Sequence, residues 1–145
     1  MALPLCIDET LPPFETGMSL MAPRTIKTAR AGEDYIANQL KTQNWTILAR
    51  NFRHIGTELD IVAAKSGTLI AVEVKTRSAG RPLPNPDTLL NPRKMQALSK
   101  GIKRFLATST KGSFETIRLD LALVGLCPKG KVLTADYITN LTEEL

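Results

Sequence analysis

Asp60 and the Glu-x-Lys pair Glu73 and Lys75 are the residues best suited to chemistry in this chain. They lie on two apolar, β-branched segments separated by Lys65-Ser66-Gly67, a break short enough only for a hairpin. If Ser66-Gly67 is a two-residue turn, paired residue numbers sum to 133, which sets Asp60 opposite Glu73 and Glu58 opposite Lys75. Directly opposed Cβ atoms are roughly 4.5–5.5 Å apart. A symmetric four-residue loop preserves that register, whereas an odd loop turns the two carboxylates to opposite faces.

Both segments are apolar on both faces, so the sheet is expected to be covered here. Like charges buried together are costly unless a cation joins them. A hard divalent cation, Mg2+ or Mn2+, bound through Asp60 and Glu73 and keeping several waters, suits such a pair. Lys75 shares the face of Glu73 and could neutralise the pair or orient a water. Glu33, on the buried stripe of the first helix, is a candidate third ligand. Together these groups suit hydrolysis of a phosphodiester. A lone Glu-x-Lys is commonly a surface ion pair; the opposed Asp60, the helix acid and the basic segment after Lys75 set this one apart. For Glu33 the competing reading is a helix acid paired to a nearby arginine, and Glu58 is expected to partner Lys75.

The elements that carry these residues follow from periodicity. Apolar residues Ile26, Ala29, Ile36, Ala37 and Leu40 predict a helix from about Thr25, its candidate N-cap, to Gln43. Trp45–Phe52, Leu59–Ala64 and Thr68–Thr76 read as three strands. Asn91-Pro92 supplies an N-cap and an N1 proline for a second helix with a core stripe of Met95, Leu98, Ile102, Phe105 and Leu106. Thr116–Val124 alternates as a strand, Gly125–Lys131 is a turn, and Val132–Ile138 is a last strand. The order α-β-β-β-α-β-β gives an α/β fold, one mixed sheet with helices packed on it. Residues 1–22, with Pro12-Pro13 and no periodicity, are expected to be a poorly ordered tail before a single domain over 23–145, and Met18 or Met21 is a candidate translation start.

Residues 75–104 hold eight basic residues against one acid, Asp87. That concentration favours a polyanion, with Arg77, Arg81, Arg93, Lys94, Lys100 and Arg104 as candidate nucleic-acid contacts; a solvated helix face is the plainer alternative. His54, the only histidine, is expected in a solvated connection, and Asp120 is expected to be structural, paired to Arg118. Cys6 and Cys127, only two and far apart, indicate neither a disulfide framework nor a zinc site, and a reducing compartment is expected. No apolar run approaches the roughly 18 residues of a membrane span and no basic leader is present, so no membrane association and a cytoplasmic location are expected.

Gly32-Glu33-Asp34, Arg50-Asn51-Phe52-Arg53, Glu58-Leu59-Asp60-Ile61-Val62 and Val72-Glu73-Val74-Lys75-Thr76-Arg77 together resemble the YraN-type family of endonuclease-like proteins. That family lies within the PD-(D/E)xK restriction-endonuclease-like superfamily, which also includes Holliday junction resolvases. Lys94 and Arg118-Leu119-Asp120 match later positions, and the resemblance runs from about residue 29 to 138. It implies Glu33, Asp60 and Glu73 as metal-site acids, Lys75 as the catalytic lysine, and a restriction-endonuclease-like mixed central β-sheet flanked by helices. Thr57 stands where the family usually has glycine, Ala71 replaces a common aromatic, and residues 1–22 have no counterpart.

Two functions are therefore expected to compete. One is a Mg2+- or Mn2+-dependent endodeoxyribonuclease acting on DNA, with branched or single-stranded forms among its candidate substrates. The other is a non-catalytic nucleic-acid-binding module that keeps the fold. A homodimer is an expectation drawn from the resolvase-like relatives.

Overall fold

In the computed structural model, which describes residues 24–109, 112–139 and 141, five strands form one sheet in the sequential order β1-β2-β3-β4-β5. The expected tail over residues 1–22 lies outside the described residues. The elements are α1 (Arg24–Thr42), β1 (Thr46–His54), β2 (Thr57–Lys65), β3 (Thr68–Arg77), a one-turn α2 (Pro86–Leu89), α3 (Pro92–Ser109), β4 (Thr116–Leu126) and β5 (Val132–Ile138). All neighbours are antiparallel except β3 and β4, which run parallel because the chain crosses over through α2 and α3 between them. This is the expected α/β architecture, a mixed sheet flanked by helices.

Period-two alternation on the strands divides the core between two faces. One face packs Ile36, Ala37 and Leu40 of α1 against Ile61, Ala63, Ile70, Val72, Val74, Ala122 and Val124. The other packs Leu98, Ile102 and Phe105 of α3 against Leu59, Val62, Leu69, Ala71 and Leu119. Phe52 meets Phe105 edge-on, ring centroids 5.3 Å apart, and ties β1 to α3. Ile26 and Ala29, expected on the core stripe of α1, are exposed, so only the later turns of that helix face the sheet.

Local signals explain the ends of the elements. Asn91 Oδ1 accepts the Lys94 N–H at 2.9 Å, which caps α3 as expected. The first helix starts at Arg24, so Thr25 lies inside it and does not precede it as its cap. Within the proline-rich residues 82–92, Asn85 Oδ1 accepts the Asp87 N–H and opens α2. Strand β1 runs on through His54, so that histidine ends a strand and is half-buried, not solvated in a long connection.

Gly32 marks the closest approach of α1 to the sheet. A Cβ added there would overlap Thr76 Oγ1 of β3, so only glycine lets the helix backbone settle at this depth. Glu33 is the next residue, and its position over the sheet depends on that contact.

Candidate metal and nucleic-acid site

Strands β2 and β3 pair from Lys65↔Thr68 to Ile61↔Val72, the register in which partner numbers sum to 133. The ladder then stops, one rung short of Asp60 and Glu73. Beyond it β2 continues only with β1, as far as His54↔Thr57, and β3 only with β4, as far as Arg77↔Gly125. The sheet forks here, and the acids stand at the fork.

The fork has a local cause. Ala49 and Phe52, three residues apart on β1, pack on the same α3 face, as do Leu59 and Val62 on β2. Strict alternation would put residues an odd number apart on opposite faces. The reversal falls at Asn51, whose φ of 52° is left-handed. The β1–β2 pairing skips the rung where Asn51 and Asp60 would meet, between Arg50↔Ile61 and Phe52↔Leu59. Asp60 is thereby swung out of the regular ladder, and its Oδ2 accepts the Val74 N–H at 2.8 Å.

Glu73 is buried at 3% exposure. Its Oε1 lies 3.1 Å from Lys75 Nζ and 3.2 Å from Lys94 Nζ, the latter reaching down from the first turn of α3. Lys94, expected among the nucleic-acid contacts, thus stands on a site acid. Asp60 has its carboxyl pushed up to about 7, first by burial and then by the charge of Glu73; the Val74 N–H and the Lys75 charge act the other way.

Glu33 comes in from α1 with its carboxyl also raised, chiefly by burial and against the opposing pull of Arg50 and a hydrogen bond from the Asn51 side chain. Arg50 lies 4.0 Å from Glu33 and 2.7 Å from Asp34. Glu33 is near enough for its charge to raise Asp60. The three acids are not gathered into one ligand set: among the described residues no three acids, histidines or cysteines come close enough together to hold a metal ion. The influence of Arg50 and Asn51 on Glu33 is not legible in the sequence, because the left-handed backbone at Asn51 leaves no mark in periodicity.

Glu58 does not partner Lys75. The fork separates them, and Glu58 pairs with Arg53 across β1, 3.4 Å away. Asp120 is structural and paired to Arg118 as expected: fully buried, it receives Arg118 Nε at 2.9 Å, Arg118 Nη2 at 3.0 Å and the Tyr137 hydroxyl at 2.6 Å. Arg93, Lys100 and Arg104 are exposed and recur at helical spacing along one side of α3. Arg81 is exposed beyond β3, whereas Arg77 is half-buried and donates to the Thr76 carbonyl at 3.1 Å.

A helix-flanked mixed sheet that places Asp60 and Glu73-x-Lys75 where two central strands part defines the restriction-endonuclease-like, PD-(D/E)xK class. Within it the chain belongs to the uncharacterised protein family UPF0102, the YraN-type family, whose model matches residues 32–124. Relatives bearing the description UPF0102 protein include one from Flavobacterium johnsoniae, 32% identical over 111 residues, covering 77% of this chain and 89% of the relative. One from Nitratidesulfovibrio vulgaris is 36% identical over 121 residues, 81% of this chain and 87% of its own length. One from Dictyoglomus turgidum is 32% identical over 114 residues, 77% and 92% respectively. Among the described residues no helix is long and apolar enough to cross a membrane.

Proposed function

We propose that this protein is a metal-dependent nuclease that hydrolyses phosphodiester bonds in DNA, with branched and single-stranded DNA as candidate substrates. The observation that carries the reading is the placing of two carboxylates, Asp60 and Glu73, at the fork between β2 and β3 with the Lys75 ammonium 3.1 Å from Glu73. The donor set fits a hard divalent cation: Asp60 Oδ2 is taken by Val74 and Glu73 Oε1 by the lysines, which leaves the second oxygen of each for a ligand bond. Asp60 and Glu73 would hold Mg2+ or Mn2+, with Glu33 as a further acid on the α1 side. Such an ion, when bound, polarises a phosphoryl oxygen and makes a bound water more acidic. Lys75 keeps positive charge beside the reacting phosphate and orients the attacking water through Nζ. Arg81, Arg93, Lys100 and Arg104 supply the exposed attraction for the polyanion.

The test is a cleavage screen of linear, nicked, single-stranded and four-way DNA with and without Mg2+ or Mn2+. Cleavage is expected only with metal, and is lost in Asp60→Ala, Glu73→Ala and Lys75→Ala. Cleavage at the wild-type rate by all three variants would remove the site assignment.

One observation favours a second reading, a nucleic-acid-binding module without catalysis: Glu73 already has two lysine counter-ions, and no three-ligand cluster exists among the described residues. It predicts binding that weakens with salt and on loss of Arg93, Lys100 or Arg104, and no cleavage with either metal.

A further inference from the structure

We propose that Lys94 gates the cation site: it occupies Glu73 as a built-in counter-ion and must leave before a divalent cation can bind there tightly. The proposal rests on the cation reading given above. Its starting point is a mismatch of charge. One buried carboxylate oxygen, Glu73 Oε1, has two ammonium groups within 3.2 Å, so Glu73 alone faces more positive charge than it neutralises, and only the neighbouring Asp60 carboxylate brings the site towards balance. A dication approaching Glu73 is repelled by both lysines at short range.

The two lysines are tethered differently. Lys75 shares β3 with Glu73, two residues further on, so its backbone stays beside that carboxylate while the strand is paired to β4. Lys94 crosses from another element, in the first turn of α3, where its own N–H is held by the Asn91 cap at 2.9 Å. A helix N-terminus carries partial positive charge and disfavours an ammonium group nearby, and no acid in that first turn offsets it. Glu73 is thus what draws the Lys94 head inward. The side chain is 36% exposed, so a route to solvent is open, past exposed Arg93 and toward the basic side of α3. Rotation of one flexible side chain therefore removes one of the two ammonium charges at Glu73, and a cation approaching the free oxygen of that carboxylate then meets only Lys75.

The experiment is a Mn2+ titration of the full chain without nucleic acid, following free Mn2+ by electron paramagnetic resonance. Lys94→Met is expected to bind Mn2+ about tenfold more tightly than wild type, since a competing unit charge is removed. Lys94→Arg, which keeps the charge, stays at the wild-type value, and Glu73→Gln binds none. A merely structural role for Lys94 would weaken binding, not tighten it. Unchanged or weaker affinity in Lys94→Met, with binding still lost in Glu73→Gln, overturns the gate alone. Binding that survives Glu73→Gln, or absent from both wild type and Lys94→Met, overturns the gate together with the cation reading.

Discussion

Asp60 Oδ2 accepts the Val74 N–H at 2.8 Å, so a side chain takes the place of the backbone carbonyl that a continuing β2–β3 ladder would have offered. The strands can part without leaving that donor unpaired, and the same bond fixes the carboxylate beside Glu73. Structure and chemistry meet in one contact.

Asp60→Ala removes the acceptor and orphans the Val74 N–H, a loss of about 1–3 kcal/mol. Asp60→Asn keeps an amide oxygen for the bond and should unfold at wild-type urea concentrations below about pH 4, where the wild-type carboxyl is protonated. Both variants should lack metal-dependent cleavage. Equal stability of the two would show that the bond contributes nothing.

Stability should also depend on pH through this residue. The Asp60 carboxyl is raised from an ordinary 3.8 to about 7, so the folded state favours the protonated form. Its contribution is fully present below about pH 4 and is lost as pH rises through about 7. Measured against Asp60→Asn, which has no proton to lose, wild type should fall behind by about 2 kcal/mol or more between about pH 5 and about pH 8. Urea unfolding at the two pH values checks this. Divalent cation added at the higher pH should close the gap, by stabilising the anionic carboxylate.

Gly32→Ala should cost about 1–3 kcal/mol, because the new methyl overlaps Thr76 Oγ1 and α1 must lift from β3. Thr76→Ala alone should be nearly neutral, since that buried hydroxyl has no hydrogen-bond partner to lose. In the double variant the Oγ1 overlap is gone and only the Cβ of residue 76, 3.0 Å from the new methyl, stays tight, so a coupling of more than about 0.5 kcal/mol should appear in the unfolding cycle. Cleavage by Gly32→Ala should fall as well, since Glu33 moves with the helix.

Asp120→Ala should be severe, about 3–5 kcal/mol, because it leaves the Arg118 guanidinium beside an empty, buried position. Tyr137→Phe removes one hydrogen bond to the same carboxylate and should cost about 1 kcal/mol. Tyr137→Phe should cleave DNA at the wild-type rate, as Asp120 pairs with Val72 and so lies on the sheet face opposite to that of Glu73. Thermal unfolding beside a cleavage assay separates the two effects.

The register of β2 against β3 was legible because a two-residue turn and two apolar segments leave one way to pair. The strands, the long helices, the Asn91 cap and the pairing of Asp120 with Arg118 were legible for similar reasons, each being a local pattern. The fork was not. It depends on a left-handed residue in the middle of β1, and Asn51 adopts that conformation here without any break in composition. With the fork hidden, an unbroken register sets Glu58 opposite Lys75, whereas it pairs with Arg53. The contact of Lys94 with Glu73 was not legible either, because helix periodicity says which side of α3 is apolar, but not which strand residue lies beneath its first turn.

Above the fork, the end of β2 and the Ile55-Gly56 turn hang from β1 and are braced against α3, where Thr57 Oγ1 donates to the Ala97 carbonyl at 2.7 Å. Ile55 at the tip is 95% exposed. The Ile55-Gly56 tip can change length, charge or apolar character without disturbing Glu73 and Lys75, which belong to the neighbouring strand pair, whereas Leu59 below it is core and Asp60 belongs to the site. Divergence in what the protein grips is thereby uncoupled from the groups that would act on it.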